Sequence, residues 1–267
     1  MKLTRTPIEL DIADRRLCAE HLRPDGAAAA PVLVFLHEGL GSIAQWKDFP
    51  AGLCEALGLP GFVYERQGFG NSAPLDGPRA PRYLHAEALE VLPAVLAAAG
   101  IRDYLLIGHS DGGSIALLHA AGRPRGLRAI VTEAAHVRVE PITLAGIRDA
   151  VHAWQSTDLP AKLARYHGDK TAATFAGWSD VWLSESFREW DIVAELPGIR
   201  CPVLALQGAD DEYGTPKQLA WIAGAVSGPV DTLLIPKCAH IPHFQARQTV
   251  MNALTEFVRR QLYSQCH

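Results

Sequence analysis

The sequence predicts an α/β protein with a mostly parallel, doubly wound sheet and one helical insertion. Short continuous apolar runs, typical of strands buried on both faces, alternate with segments of helical periodicity. This alternation favours parallel strands joined by helices that cover both faces of the sheet. The interval 137–199 interrupts it, because no apolar run of this kind occurs there. A length of 267 residues accommodates one such core with an insertion.

The apolar runs define six buried strands, preceded by an antiparallel hairpin over 8–22. The strands are expected at 32–36, 61–65, 104–108, 127–132, 203–207 and 230–235. The helices are expected at 44–57, 84–99, 112–121, 216–225 and 247–261. Pro93 lies inside the second helix, and we expect a kink or a new start there because proline has no N–H to donate.

The interval 137–199 is predicted to be helical. Its first helix is indicated by apolar side chains at spacings of three and four residues: Leu144, Ile147, Val151 and Trp154. A second helix is expected to start at Asp158, which precedes Leu159-Pro160. We therefore divide the chain into a core, 1–136 and 200–267, and a helical insertion, 137–199.

Composition and charge exclude several classes of function. The chain has 25 basic and 29 acidic residues, a net charge of −4, which argues against a basic nucleic-acid-binding face. The N-terminal segment 1–16 has no apolar stretch long enough for a signal peptide, and the longest apolar run, 27–36, is too short to span a membrane. We therefore expect a soluble cytoplasmic protein without a membrane partner. The cysteines contain no C-x-x-C pair. His240 and His243 could form a metal pair, but Pro242 between them disfavours the helix that such a pair needs, and no other cluster has metal-ligand spacing. We therefore expect reduced cysteines, no metal and no cofactor. The oligomeric state is not predicted.

The most informative motif is Gly108-His109-Ser110-Asp111-Gly112, which ends a predicted strand and opens a predicted helix. Strand, turn and helix are the context that a G-x-S-x-G nucleophile elbow requires. Glycine is expected at 108 and 112 because side chains there would clash with the neighbouring strand and helix. The turn places the Ser110 hydroxyl above the sheet edge at a helix N-terminus, where developing negative charge is stabilised. Ser110 is therefore the predicted nucleophile.

On this motif the sequence resembles the α/β-hydrolase fold superfamily over nearly the whole chain, and in particular its capped, carboxylesterase-like serine hydrolases. The resemblance implies that 137–199 is the cap, or lid, of the family. It also implies that an Asp or Glu and then a His follow the nucleophile along the chain. Because a serine stands at position 110, the resemblance argues against haloalkane dehalogenases and epoxide hydrolases, which use a carboxylate nucleophile on this fold.

The family pattern selects the remaining catalytic residues. The turn after the fifth predicted strand matches G-x-x-D at Asp211, with Asp210 as the alternative. The loop after the sixth strand matches the family's small residue followed by His at His240, with His243 as the alternative. Asp211 is expected to orient His240 and stabilise its protonated form, while His240 acts first as base and then as acid.

Two backbone N–H groups are expected to form an oxyanion hole, those of Asp111 and Gly39. The loop that contains Gly39 departs from the family pattern, because Glu38 stands where glycine is common. The donor in this loop is therefore Gly39 or, alternatively, Glu38 or Leu40. We expect the Glu38 side chain to lie at the surface, and the alternative is that it faces the pocket and disfavours anionic substrates. The turn at Arg66 resembles a family turn that supports this loop.

The resemblance implies a serine hydrolase that cleaves a small, neutral, partly hydrophobic carboxylic ester through an acyl-enzyme. Its expected partner is a small molecule. Hydrolysis of lactones, thioesters or C–C bonds and perhydrolysis remain alternatives with the same residues, and a small-molecule receptor on a hydrolase fold is an alternative of another class. The side chains expected to line the pocket are Leu40, Trp178, Trp182 and Phe187. For each of the three aromatic residues the alternative is that it anchors the cap on the core.

Overall fold

The computed structural model describes residues 2–263, in which one eight-stranded sheet forms the centre of the molecule. The strands are β1 (Leu3–Ile12), β2 (Arg15–Pro24), β3 (Val32–Leu36), β4 (Gly61–Tyr64), β5 (Tyr104–His109), β6 (Leu127–Glu133), β7 (Val203–Gly208) and β8 (Val230–Ile235). Their order across the sheet is β1-β2-β4-β3-β5-β6-β7-β8. β1 and β2 pair antiparallel with each other and β2 with β4, whereas every pairing from β4 to β8 is parallel. The predicted α/β class is confirmed.

Helices follow the parallel strands and cover both faces of the sheet. They are α1 (Phe49–Leu57), α2 (Tyr83–Ala86), α3 (Leu92–Ala98), α4 (Asp111–Ala121), α5 (Pro141–Ser156), α6 (Leu159–His167), α7 (Thr171–Leu183), α8 (Lys217–Ala225), α9 (Pro242–Gln245) and α10 (Arg247–Tyr263). Two apolar clusters fill the space between helices and sheet, one containing Ile115 of α4 and the other Phe257 of α10.

Two predicted helices begin or divide differently in the structure. The helix expected over 44–57 starts only at Phe49, because Lys47 has a positive φ of 53° that interrupts the helical path. The helix expected over 84–99 consists of α2, a π-helical turn Glu87–Val91 and α3. Pro93 is the second residue of α3, which directly follows the π-helical turn, where helical hydrogen bonding is irregular. The backbone stays helical at Val91 and Leu92, so the kink or new start expected at this proline takes the form of a π-helical turn within a continuous helix.

The interval between β6 and β7 contains α5, α6 and α7, as the sequence predicts. Trp178 and Trp182 of α7 belong to the same apolar cluster as Ile115 beneath the sheet. The apolar packing of the insertion is therefore continuous with that of the core, and its treatment as a separate cap stays a prediction. Within residues 2–263 no helix combines the length and apolar content needed to cross a membrane.

The described cysteines are free thiols, as expected, and Cys266 lies outside the described residues. The free thiols are Cys18, Cys54, Cys201 and Cys238.

Candidate active site

The turn between β5 and α4 holds Ser110 in a sparsely populated backbone conformation, with φ 53° and ψ −116°. The two glycines of the motif are needed where they stand. A Cβ at position 108 would lie 2.1 Å from the Gly112 carbonyl oxygen, and one at position 112 would lie 2.0 Å from that of Leu36. The backbone is therefore packed tightly around Ser110, at the end of β5 where the parallel strands present their carboxyl termini.

His240 and Asp211 lie beside Ser110 and form one hydrogen-bonded chain with it. His240 Nε2 is 2.9 Å from Ser110 Oγ, and its Nδ1 is 2.8 Å from Asp211 Oδ1. Because a carboxylate only accepts hydrogen bonds, Nδ1 carries the proton and Nε2 is free to accept the serine hydroxyl. The structure thus brings together the three residues that the sequence predicts as nucleophile, base and acid.

The alternatives to these residues lie elsewhere. Asp210 is exposed, and among residues 2–263 no hydrogen bond joins its carboxylate to His240. His243 is buried, and its Nδ1 donates to Glu133 Oε2 at 2.9 Å. Neither residue belongs to the hydrogen-bonded chain that ends at Ser110.

Charge and burial set the protonation of the His–Asp pair. Burial lowers the pKa of His240, but the hydrogen bond and negative charge of Asp211 outweigh it, and the pKa lies above its ordinary value. Burial raises the pKa of Asp211, yet the hydrogen bond from His240 brings it below its ordinary value. Asp211 therefore stays ionised at neutral pH and stabilises the imidazolium that forms when His240 accepts a proton.

Several residues that position this pair have no signal in the sequence. Asp211 Oδ2 accepts from Gln207 Nε2 at 3.1 Å, and its Oδ1 accepts the Tyr213 N–H at 2.9 Å. The Tyr213 carbonyl in turn accepts from Thr143 Oγ1 at 2.6 Å. His109, which the sequence places beside the site, is buried with its Nε2 2.7 Å from the His240 carbonyl oxygen. These contacts join residues that are up to 131 positions apart, and no local pattern indicates them.

The two segments that carry the predicted oxyanion donors are tied together by Arg66, which is almost fully buried. Its Nη2 donates to the Glu38 carbonyl oxygen at 2.7 Å, and its Nη1 lies 3.4 Å from Asp111 Oδ2. On the other side of the loop, His167 of α6 has its Nε2 2.9 Å from the Leu40 carbonyl oxygen. The loop is therefore held from the core and from the insertion.

The Glu38 side chain is not at the surface, and the expectation that placed it there is wrong. It is half-buried and lines the same cavity as Ser110. The physical reason is local, because Glu38 Oε2 accepts the Leu40 N–H at 2.5 Å and the carboxylate is thereby turned inward. The same bond occupies the Leu40 N–H, which leaves Gly39 as the better candidate for the second oxyanion donor.

A cavity of about 220 Å³ lies against Ser110 and His240. Leu40, Trp178 and Trp182 line it, as the sequence predicts. Phe187 does not, which corrects the fourth predicted pocket residue. Its ring is fully buried and stacks on Trp190 at 5.3 Å between ring centroids, so it packs in the core instead.

On the prediction that Ser110 attacks an ester carbonyl, replacing Gly39 with alanine should lower kcat by up to about 10²–10³, the usual loss for one oxyanion donor. A Cβ at position 39 would lie 2.5 Å from Trp178 Cδ1 and Nε1, so the loop must shift. The matched control is Gly77→Ala, because a Cβ at that position meets nothing within 4 Å. Adding Trp178→Ala to Gly39→Ala removes the clash and should restore part of kcat. Full activity of the single Gly39→Ala variant would contradict this role of the loop.

In the described part of the chain, no group of three or more His, Cys, Asp and Glu side chains is placed to hold a metal ion. The side chains around Ser110 are instead arranged for proton transfer and for stabilising a negatively charged oxygen. This arrangement is suited to acyl transfer by a serine nucleophile.

Comparison with known proteins agrees with this fold. A model of the alpha/beta hydrolase family matches residues 33–253. The 2-succinyl-6-hydroxy-2,4-cyclohexadiene-1-carboxylate synthase of Yersinia pseudotuberculosis serotype O:1b (strain IP 31758) is 36% identical over 132 residues, which are 48% of this chain and 45% of that protein. The chain thus spans about half the length of the curated relatives it matches.

Two solved structures show a similar fold. Proline iminopeptidase of Mycobacterium smegmatis superposes with a TM-score of 0.72 at 21% identity, over 96% of this chain and 98% of that one. The enol-lactonase of Burkholderia xenovorans LB400 gives a TM-score of 0.71 at 19% identity, over 94% of this chain and 100% of that one. At these identities the likeness concerns the fold alone.

Proposed function

This chain belongs to the alpha/beta hydrolase family, and we propose that it is a serine hydrolase that cleaves a small, partly hydrophobic carboxylic ester. One observation carries the proposal. An unbroken hydrogen-bonded chain runs from Asp211 through His240 to Ser110, at the wall of a cavity large enough for a small substrate.

The geometry supports an acyl-enzyme mechanism. As Ser110 Oγ attacks the ester carbonyl carbon, its proton passes to His240 Nε2, and Asp211 stabilises the imidazolium. The N–H groups of Asp111 and Gly39 would stabilise the negative charge on the former carbonyl oxygen. His240 then protonates the leaving alcohol, and in the second half it activates the water that releases the acid.

The insertion is proposed to act as the cap that selects the substrate, because its helices supply part of the cavity wall. Ile147 comes from α5, Leu163 from α6, and Trp178 and Trp182 from α7. These apolar side chains favour a partly hydrophobic substrate, since burying apolar surface is favourable.

A carboxylic ester without a free carboxylate group fits this cavity better than a carboxylate-bearing compound such as the one in the relatives' name. Among the described residues that line the cavity there is no Lys or Arg to pair with a substrate carboxylate. We therefore prefer esters to carboxylate-bearing substrates. Lactones and thioesters require the same chemistry as esters, so the test includes them.

The proposal is tested with purified protein and a panel of short p-nitrophenyl esters, lactones, thioesters and vinylogous diketones. We expect turnover of the esters, and covalent labelling by a fluorophosphonate probe, because an activated serine attacks phosphorus and displaces fluoride. Peptide mass spectrometry should place the adduct on Ser110. Labelling at another residue, or no labelling of folded protein, would contradict the proposal. Faster turnover of the lactones, thioesters or diketones than of the esters would assign the substrate to that class instead.

A further inference from the structure

Glu38 presents a carboxylate to the Ser110 cavity from within the oxyanion loop. Its Oε2 accepts the N–H of Leu40, the residue that follows Gly39, so the carboxylate is held next to the predicted oxyanion donor. Its Oε1 accepts no hydrogen bond from residues 2–263. The carboxylate is thus fixed in orientation, and one oxygen is left for another partner.

Among residues 2–263, no Lys, Arg or His side chain forms an ion pair with this carboxylate, although the charges of His240 and Arg66 act on it from a greater distance. Arg66 lies nearby, but it donates to the backbone carbonyl of Glu38 and pairs with Asp111. The other acidic residues at the cavity have different surroundings. Asp111 Oδ2 accepts from Tyr83 OH at 2.7 Å and lies 3.4 Å from Arg66 Nη1, while its Oδ1 is buried without a hydrogen-bond partner among the described residues. Glu212 is exposed, and its carboxylate accepts the backbone N–H of His240 at 3.1 Å.

An unpaired anion at this place is unfavourable for the proposed reaction. Negative charge develops on the substrate oxygen beside Gly39, and a like charge held by the neighbouring N–H opposes it. Burial also disfavours the ionised form, and the pKa of Glu38 lies above its ordinary value. A positive charge brought by the substrate would relieve both penalties, because it would pair with the free carboxylate oxygen.

We propose that Glu38 makes the cavity selective for esters that carry an ammonium group close to the scissile carbonyl, in the acyl or the alcohol part. This rests on the proposed ester hydrolysis and replaces the expectation of a neutral substrate. The ammonium donates to Glu38 Oε1, while the aromatic rings that line the cavity, Trp178, Trp182 and Tyr213, favour a cation over an anion. Glu38 is a specificity-determining residue in this role.

The test compares substrates of equal shape and different charge. In the acyl arm, the ethyl ester of alanine is paired with that of isobutyric acid, in which methyl replaces ammonium. In the alcohol arm, 2-aminoethyl acetate is paired with propyl acetate. We expect wild-type kcat/KM to favour the cationic ester roughly 10- to 100-fold in one arm, the usual range for a charged hydrogen bond.

Glu38→Gln keeps the shape of the side chain and removes its charge. This variant should bring the ratio of kcat/KM between the cationic and the uncharged ester close to one. The change should come from a lower kcat/KM for the cationic ester, while the uncharged ester is still hydrolysed. The matched control, Asp180→Asn, removes an exposed negative charge outside the cavity and should leave the preference unchanged. If Gln fails to fold, Glu38→Asp, with a shorter reach, should reduce the preference instead.

The outcomes separate this inference from the proposed function. Equal turnover of cationic and uncharged esters by the wild type would overturn the ammonium proposal and leave ester hydrolysis standing. The charge of Glu38 also helps to raise the pKa of His240. If Glu38→Gln slows both esters by one factor, Glu38 acts only through His240, and the ammonium proposal is likewise overturned. No turnover of any ester, together with no labelling of Ser110, would instead remove the proposed function.

Discussion

Ser110→Ala is expected to lower kcat/KM for a short p-nitrophenyl ester by roughly 10⁶, the scale on which enzymes of this mechanism depend on their nucleophile. The loss is large because no other hydroxyl lies within hydrogen-bonding distance of His240 Nε2 in the described chain. The residual rate would come from the oxyanion donors and from binding alone. Initial rates with wild-type and variant protein, prepared side by side, measure the effect.

The control for Ser110→Ala is Ser227→Ala. Ser227 is exposed and precedes β8, so it lies at the sheet edge opposite the active site. We expect this variant to keep full activity and both variants to unfold at temperatures near that of the wild type. Activity that survives in Ser110→Ala, after contaminating esterase is excluded by the phosphonate probe, would refute Ser110 as the nucleophile.

Asp211→Asn is expected to lower kcat by roughly 10⁴, the scale known for this change in a serine triad. An amide at this position no longer stabilises the imidazolium, and it can donate to Nδ1, which puts the proton on Nε2 where it blocks the serine. The matched change Asp210→Asn removes an exposed carboxylate and should cost little. If Asp210→Asn costs more than Asp211→Asn, the acid must be reassigned to Asp210.

The pH profile gives Asp211→Asn a second readout. His240 must be neutral to accept the serine proton, so activity falls as the pH drops through the His240 pKa. Because Asp211 holds that pKa above its ordinary value of about 6.5, the acid limb of kcat/KM should lie at higher pH than for an unperturbed histidine. In Asp211→Asn only the charges of Glu212 and Glu38 still oppose the effect of burial, so the His240 pKa falls and the limb should move to lower pH. If the acid limb of the kcat/KM profile does not move in Asp211→Asn, a group other than His240 controls the loss of activity at low pH.

Local patterns predicted the parts of this protein that depend on local physics. The strands at 32–36 and 230–235 have the predicted bounds, because continuous apolar runs between turns determine them. The elbow around Ser110 was equally visible from its G-x-S-x-G spacing between a strand and a helix, although the glycine at 112 is required by its contact with Leu36 of β3 and not by the turn itself. The turn with Asp211 and the loop with His240 each follow a strand that the sequence predicts. Because parallel strands end at the same edge of a sheet, the two side chains could be expected to lie close together there.

The parts that were missed depend on contacts between distant segments or on backbone geometry within a loop. Glu38 points inward because of a single bond to the Leu40 N–H, which residue type alone does not indicate. Phe187 and Trp182 have the same aromatic character and lie in the same interval, yet only Trp182 reaches the cavity. Tertiary packing decides between them, and a single sequence carries no information on it.

His167 has a consequence for how such proteins can be recombined. Its Nδ1 accepts the Gly70 N–H at 2.9 Å while its Nε2 donates to the Leu40 carbonyl, so one neutral ring bridges two loops of the core. A chimera that receives 137–199 from a relative would gain a new cavity wall and lose this bridge. We expect such a chimera to take over the relative's substrate preference but to turn over more slowly, unless the transferred segment has a histidine at the same place. With the proposed role of 137–199 as the cap, substrate range and turnover would therefore change together.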